Sequence, residues 1–442
     1  MLNSTSSSLA DNVDAVVIGG GPAGSTASAL IAERGFRVRL YERECFPRFH
    51  VGESLIPETY WTLERLGLIE KLRNSPFVKK YSVQFVSSNG KYSTPFYFHE
   101  NKPCNSSQTW QVERSEFDQI MLANAREKGV EVREGVRVRD VLFEQDRAVG
   151  VRIQMADRSQ REIRARVVVD AGGQSGLLMK RFGLRVWDPV LNKGAIWTYW
   201  QGAKRDSGLD AGATMVFQTA DRQGWFWYIP LHRDSTSVGV VKPFDELFRK
   251  GRSHEEAYLE EVEGSRALKD RISGAERTTE YFATRDCSYR AKRVAGDGWV
   301  LVGDAYAFLD PLYSSGILLA LRSGEMAADA IVEGLQKNDL SAARLGSWGP
   351  AFERGLDRMR RLVCEYYDGF SFGQLVREFP HLKGTVTDLL IGDLFTDRVD
   401  CIWEPMESLY PEGKTPPPSW DAELAQSRAG EAQSLVSDDP GS

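Results

Sequence analysis

Three glycines, Gly19, Gly21 and Gly24, follow an apolar run (Ala15–Ile18) and open a stretch of small residues. In this spacing the first glycine allows a tight turn and the second lets backbone amides approach a pyrophosphate. The third permits close packing of helix on strand. Glu42 closes the next apolar strand about twenty residues on, where a carboxylate can accept hydrogen bonds from ribose hydroxyls. Pro22 and Ala23 between the glycines, and Arg43 beside the acid, complete a nucleotide-binding set. Two later strands end the same way, VVVDAGG (Val167–Gly173) and WVLVGDA (Trp299–Ala305), the second offering Gly303 and Asp304. An Asp at a strand's carboxyl end can hold a polyol hydroxyl while helix amides face a phosphate. Each of these alone could be an ordinary glycine turn; their order along the chain makes a dinucleotide site the better reading.

Three other groups could carry chemistry. Lys79 and Lys80 lie in FVKKYSVQF, where neighbours on a strand face opposite ways. Such a pair is usually solvated surface, but a buried amine has a lowered pKa and an available lone pair. Trp225 and Trp227, in GWFWYIP, share one strand face, which by itself suggests two large groups packed in a core. AFLDPLYSSG (Ala307–Gly316) places small residues before an apolar helix, where backbone amides and the helix dipole favour an anion.

The elements that must hold these groups read as an α/β chain. Residues 14–42 form a βαβ unit, which implies a parallel sheet. Helices are expected near 57–73, through Phe117 and Met121 to Gly129, and near 315–334, with helical periodicity over 340–405. Alternating strands between 130 and 169, and aromatic or β-branched strands at 194–201, 213–218, 225–231 and 236–242, suggest antiparallel pairing that roofs a cavity. The expected fold is a Rossmann-type parallel-sheet domain with an inserted antiparallel substrate sheet and C-terminal helices. Its divisions are a tail over 1–13, a nucleotide domain from 14–75, 111–185 and 286–338, and a substrate sheet from 76–110 and 186–285. A helical region over 339–412 and a polar, solvated tail over 413–442 complete it.

With 442 residues, 42% of them hydrophobic, the chain can bury the core of a multi-lobed enzyme. A formal charge of −6 and the lack of a basic run argue against nucleic acid or an anionic membrane as partner. Five scattered cysteines without a CxxC pair argue against a disulfide framework or zinc site and suit a reducing cytoplasm. No signal peptide or membrane span is expected: MLNSTSSSLADN is polar, and four glycines and a proline interrupt the apolar stretch from Ala15 to Ala32. No metal is expected.

The three nucleotide segments in this order resemble the FAD domain of the large group containing aromatic hydroxylases, geranylgeranyl reductases and halogenases. Arg114, in RSEFD, matches a segment of that group whose arginine lies near the flavin. ECFPRFHVGESLIP (Glu44–Pro57), with His50, Glu53 and Ser54, resembles the flavin-side loop of flavin-dependent halogenases. Trp225, Trp227, Ile229 and Pro230 match their WxWxIP pattern, and Phe308, Pro311, Ser314 and Gly316 their FxxPxxSxG spacing.

The resemblance covers roughly residues 14–335. It implies FAD, held by Gly316 as well as the residues above, and a halide held by the amides around Ser315 and Gly316. It also implies a pocket shaped by Trp225, Trp227, Phe85 and Tyr313. In that family FADH2, supplied by a separate flavin reductase, reacts with oxygen to a C4a-hydroperoxide that chloride or bromide attacks. The hypohalous acid then passes to a lysine, which delivers halogen to an aromatic carbon. The family's offset of lysine to aromatic selects Lys80 with Phe85, with Lys79 as competitor because Ser82–Val83 stands where relatives carry Gly–Ala. Tyr313 replaces the glutamate of free-tryptophan halogenases, which implies a phenol or pyrrole substrate, free or tethered to a carrier protein or peptide. The alternatives are an aromatic monooxygenase using NAD(P)H, an isoprenoid reductase, and a flavoprotein modifying an aromatic side chain of a partner protein. The Trp-rich strands fit a flat ring better than an isoprenoid.

Overall fold

The computed structural model describes residues 12–100, 102–285 and 287–420. The first strand begins at Asn12, two residues before the expected start; the rest of the expected N-terminal tail lies outside the described residues. It pairs in parallel with Val38–Tyr41 and Gln160–Asp170, and the sheet continues in parallel to Trp299–Leu301 and Glu131–Arg133. Val16, Val17, Leu40, Val168 and Val169 are fully buried, as strands covered on both faces require. The two strands Arg137–Glu144 and Arg147–Gln154 join this sheet antiparallel. The helix Pro22–Glu33 packs on the long helix Gly316–Lys337. Their approach is close: a Cβ on Gly324 would lie 2.6 Å from the Ala23 carbonyl oxygen.

The second large sheet runs Glu276–Arg277, Lys193–Gln201, Ser235–Pro243, Trp225–Pro230, Thr214–Gln218, Ser82–Val86, Phe96–Tyr97. It is antiparallel except at one place. Ser82–Val86 runs parallel to Thr214–Gln218, with Val83 opposite Thr214 and Phe85 opposite Val216. That pairing joins the two sequence segments expected to form the substrate sheet. Just before it, Val78–Lys80 pairs antiparallel with Thr109–Gln111 in a separate two-stranded ribbon, with Lys80 opposite Thr109.

Helices follow at Gly349–Tyr367, Phe372–Glu378, Lys383–Ile391 and Trp403–Ser408. The expectation of a solvated tail from 413 needs correction for its first part. Trp420 is fully buried, under the guanidinium of Arg360, which also donates to the Pro418 carbonyl. The indole's apolar surface supplies the reason, since an aromatic of that size gains most by leaving water. Residues 421–442 lie outside the described residues. No helix among the described residues is long and apolar enough to cross a membrane.

Candidate active site

The glycine turn and the strand ends form a groove. Gly19 has φ +99°, and a Cβ there would lie 2.4 Å from the Ala171 carbonyl oxygen; a Cβ on Gly24 would lie 2.0 Å from the oxygen of Gly19. Gly21 differs, because its Cβ position meets only Arg48 Nη2 at 3.5 Å, so this side of the turn is open. Glu42 is held by the amides of Gly20 (2.8 Å) and Glu44 (3.0 Å), while Arg43 lies exposed beside Glu44. Burial pushes the Asp304 carboxyl up to about 6 against the pull of Arg114, and no donor among the described residues reaches its carboxylate. An open glycine at a helix N-terminus, Glu42 just past its strand and the donor-free Asp304 in the turn after its own suit pyrophosphate, ribose and ribityl hydroxyls. The residues present therefore fit FAD.

Arg114, which the resemblance places near the flavin, lies within electrostatic reach of Asp304. Its Nε and Nη2 bond Asp118 at 2.8 and 2.9 Å, and Nη1 donates to the Val51 carbonyl at 2.7 Å. Nε and Nη2 thus grip Asp118 one turn along the same helix, and Nη1 ties the helix Arg114–Glu127 to the loop Glu44–Pro57. The Arg114 charge holds the His50 imidazole below the usual histidine range.

Next to that loop is a small, partly open pocket, and Lys80 is on its wall. The amine is fully buried, donating to Ser54 Oγ (2.8 Å) and the Leu55 carbonyl (3.0 Å), and burial pulls it down to about 7. Lys79 points to solvent. Phe85, Phe96, Phe98, Val216 and Leu312 give the wall its apolar character, and no carboxylate among the described residues lines it. Tyr313 and Ser314 bring the loop Ala307–Gly316 to the same cavity. Ser314 adopts the left-handed conformation (φ 56°), turning the chain into the helix that starts at Gly316. Ser315 Oγ is buried without a partner, a Cβ on Gly316 would meet nothing within 4 Å, and no acceptor among the described residues takes the Ser315 or Gly316 amide.

A protein-family model described as "Tryptophan halogenase" matches residues 14–114 and 99–370. The chain belongs to this family. It is 32% identical over 406 residues to the 1H-pyrrole-2-carbonyl-[peptidyl-carrier protein] chlorinase of Pseudomonas fluorescens, covering 87% of this chain and 90% of that one. The corresponding brominase of Pseudoalteromonas luteoviolacea is 34% identical, over 74% and 79% of the two chains. The solved flavin-dependent brominase Bmp2 superposes with a TM-score of 0.81 at 30% identity, over 90% of this chain and 98% of that one. The halogenase is thus an FAD-dependent oxidoreductase of Rossmann-type α/β fold, whose family uses reduced FAD and halide and takes its reduced flavin from a separate reductase.

Trp225 and Trp227 of the halogenase do not line the cavity, in contrast to their expected place. Both indoles are buried; Trp227 Nε1 donates to Ser237 Oγ (3.0 Å), and Trp225 Nε1 to Tyr367 Oη (2.8 Å). All six residues of this strand are buried, so both of its faces meet protein and a shared face does not identify a pocket. Tyr367 in turn donates to Asp310 (2.8 Å), whose other oxygen accepts the Leu312 amide (3.0 Å). Burial pushes Asp310 up to about 6. The tryptophan pattern thus reaches the loop Ala307–Gly316 through a residue of the helix Gly349–Tyr367, which carries no motif. Tyr367→Phe removes the link between Trp225 and Asp310. Halide affinity, read from the halide dependence of product formation, should fall about tenfold, as expected for one buried hydrogen bond to a charged group.

Proposed function

We propose that this halogenase chlorinates or brominates an electron-rich phenol or pyrrole, delivered on a carrier protein or peptide, with Lys80 as the catalytic residue. The observation that carries this reading is the buried Lys80 amine in an otherwise largely apolar cavity beside the loop Ala307–Gly316. The carrier-tethered substrates named for the two pyrrole-carbonyl halogenases support the tether. Tyr313 in place of a carboxylate, and a cavity wall without one, support a ring that is nucleophilic without an added base.

Bound FAD, once reduced, supplies with oxygen and halide the oxidised halogen as hypohalous acid. The amides of Ser315 and Gly316, at the positive end of a 22-residue helix, hold the halide. Lys80 would hold the hypohalous acid by hydrogen bond, or take its halogen as a haloamine with release of water, and the halogen then bonds to a ring carbon whose proton leaves to the freed hydroxide or the freed amine. The apolar wall keeps water from competing, and Phe85 and Tyr313 face the ring. Gly19, Gly21, Pro22, Ala23, Gly24, Glu42, Arg43, Gly303, Asp304 and Gly316 would form the cofactor groove, with Arg114 holding the loop that covers it. The five cysteines are unpaired, which supports a cytoplasmic location.

The test supplies reduced flavin, oxygen and either bromide, chloride or no halide, with a phenol and a pyrrole each offered free and as a carrier thioester. Ring halogenation of the tethered substrate is the expected product. A hydroxylated ring without halogen would reassign the enzyme as a monooxygenase. If the neutral amine is the reactive form, the rate should climb as pH rises through about 7, where burial places Lys80.

A further inference from the structure

Buried side chains behind Lys80 account for its hydrogen bonds one by one. The loop carrying Ser54 and Leu55 is stitched to the strand Thr109–Gln111: Leu55 N donates to the Trp110 carbonyl (3.1 Å) and Val112 N to that of Glu53 (2.7 Å). The same strand pairs with Val78–Lys80, so loop, lysine and Gln111 are held together. Gln111 Nε2 spends one hydrogen on the Gly212 carbonyl (2.9 Å) and the other on Thr214 Oγ1 (2.8 Å), which fixes the amide's orientation. Ser54 Oγ lies 2.9 Å from Thr214 Oγ1 and 2.8 Å from Lys80 Nζ.

The direction of this chain follows from where hydrogens can go. If Thr214 donated to Ser54, the Ser54 hydrogen would have no acceptor beside the protonated amine, and beside the neutral amine it could meet only the lone pair of Lys80. If Ser54 donates to Thr214, the single remaining hydrogen is that of Thr214, which lines the cavity. Lys80 then donates to Ser54 and to Leu55, and in the neutral amine the lone pair is the valence left over.

We infer that Ser54, Thr214 and Gln111 form a directed hydrogen-bond chain that fixes the Lys80 amine with one valence turned to the cavity and offers the Thr214 hydroxyl to the substrate. Ser54 and Gln111 are positioning residues. Thr214 is a specificity residue whose free hydrogen selects a ring bearing an acceptor oxygen, either a ring hydroxyl or an acyl carbonyl. The substrate contact rests on the halogenase reading of this cavity; the positioning of the amine does not.

Competitive labelling of the full-length protein with a small anhydride, followed by mass spectrometry of the Lys80 peptide, reads the amine's titration midpoint without any turnover. In Ser54→Ala the ammonium loses an acceptor. In Thr214→Val the Ser54 hydroxyl is freed to turn onto the lone pair. Both changes disfavour the protonated amine, so both midpoints should fall, that of Ser54→Ala by about one pH unit, a tenfold change. Thr214→Ser should restore the wild-type value, which separates loss of the hydroxyl from damage to the fold. In turnover, Thr214→Val should raise KM about tenfold for rings with an acceptor oxygen and leave rings without one unchanged. Phenols and acylated pyrroles, tested separately, show which oxygen it meets. Unchanged midpoints in both variants would overturn the chain, and equal KM changes with and without the oxygen would overturn the role of Thr214. If wild-type protein halogenates nothing but the midpoints still shift, only the function fails and the chain stands.

Discussion

Replacing Lys80 by methionine should abolish aromatic halogenation and leave the protein more stable at neutral pH. The loss of product is expected at about 10²–10⁴-fold, the range for a group that handles protons or halogen at the reacting atom. The gain in stability has a separate cause. Burial pulls the amine from its ordinary 10.5 to about 7, a cost on the order of 5 kcal/mol at pH 7. Methionine removes that cost and leaves the Leu55 carbonyl and Ser54 Oγ without their partner, returning about 1–3 kcal/mol. A net stabilisation of about 2 kcal/mol remains. Between about pH 7 and 10.5 the unfolded wild-type chain binds a proton at this amine that the folded chain does not. Wild-type stability therefore rises with pH across that window, and the variant's advantage, full below about pH 7, disappears towards 10.5. Denaturant midpoints at three pH values check this. Lower stability of the variant at pH 7 would mean that the amine is solvated, and its assignment would fall with that.

The second large effect concerns the glycine turn. Gly24→Ala places a methyl 2.0 Å from the Gly19 oxygen and 3.1 Å from the Ala171 Cβ, so the helix must move off its strand. The fold should lose about 1–3 kcal/mol and FAD affinity at least tenfold. Gly21→Ala is the control, since its methyl meets only Arg48 Nη2 at 3.5 Å. This variant should melt like wild type without flavin yet fail to bind it, because the open side it fills is where the pyrophosphate would lie. Flavin titration and thermal melts of the apoprotein, read together, separate the two. If Gly21→Ala binds FAD normally, the groove has been placed on the wrong side of the turn.

Local rules made much of this legible. The glycine spacing, Glu42 and the strand end at Asp170 depend on residues close in sequence, and the parallel sheet follows from them; the strand expected to run to Asp304 stops at Leu301, with Asp304 in the turn that follows. Between Lys79 and Lys80 the alternation of a strand says only that the two face opposite ways, and it is the structure that buries Lys80 and exposes Lys79. Other features depended on contacts that no local pattern encodes. Trp225 and Trp227 share a face, but period two cannot tell a cavity wall from a core when both faces are covered. The pairing of Arg114 with Asp118, one helical turn later, follows from i,i+4 spacing, but its bond to the Val51 carbonyl joins residues distant in sequence. Phe96, Phe98 and Tyr367 were missed: Phe96 opens a two-residue strand, Phe98 follows it in a short turn, and Tyr367 ends an amphipathic helix with no motif. Thr214 begins a strand that was read correctly, but its bond to Ser54 joins residues distant in sequence.

The lone parallel pairing of Val83 with Thr214 also bears on how the molecule is made. The two strands are separated by about 130 residues, so loop closure across that span must precede burial of the lysine pocket. On the ribosome, the amine would emerge early and stay open to solvent until the second strand has been synthesised. During that interval the segment Phe77–Phe85 is an apolar edge without its partner, the kind of surface on which nascent chains associate. Slower translation between these strands would lengthen the exposure, whereas chaperone capture of the first would shorten it.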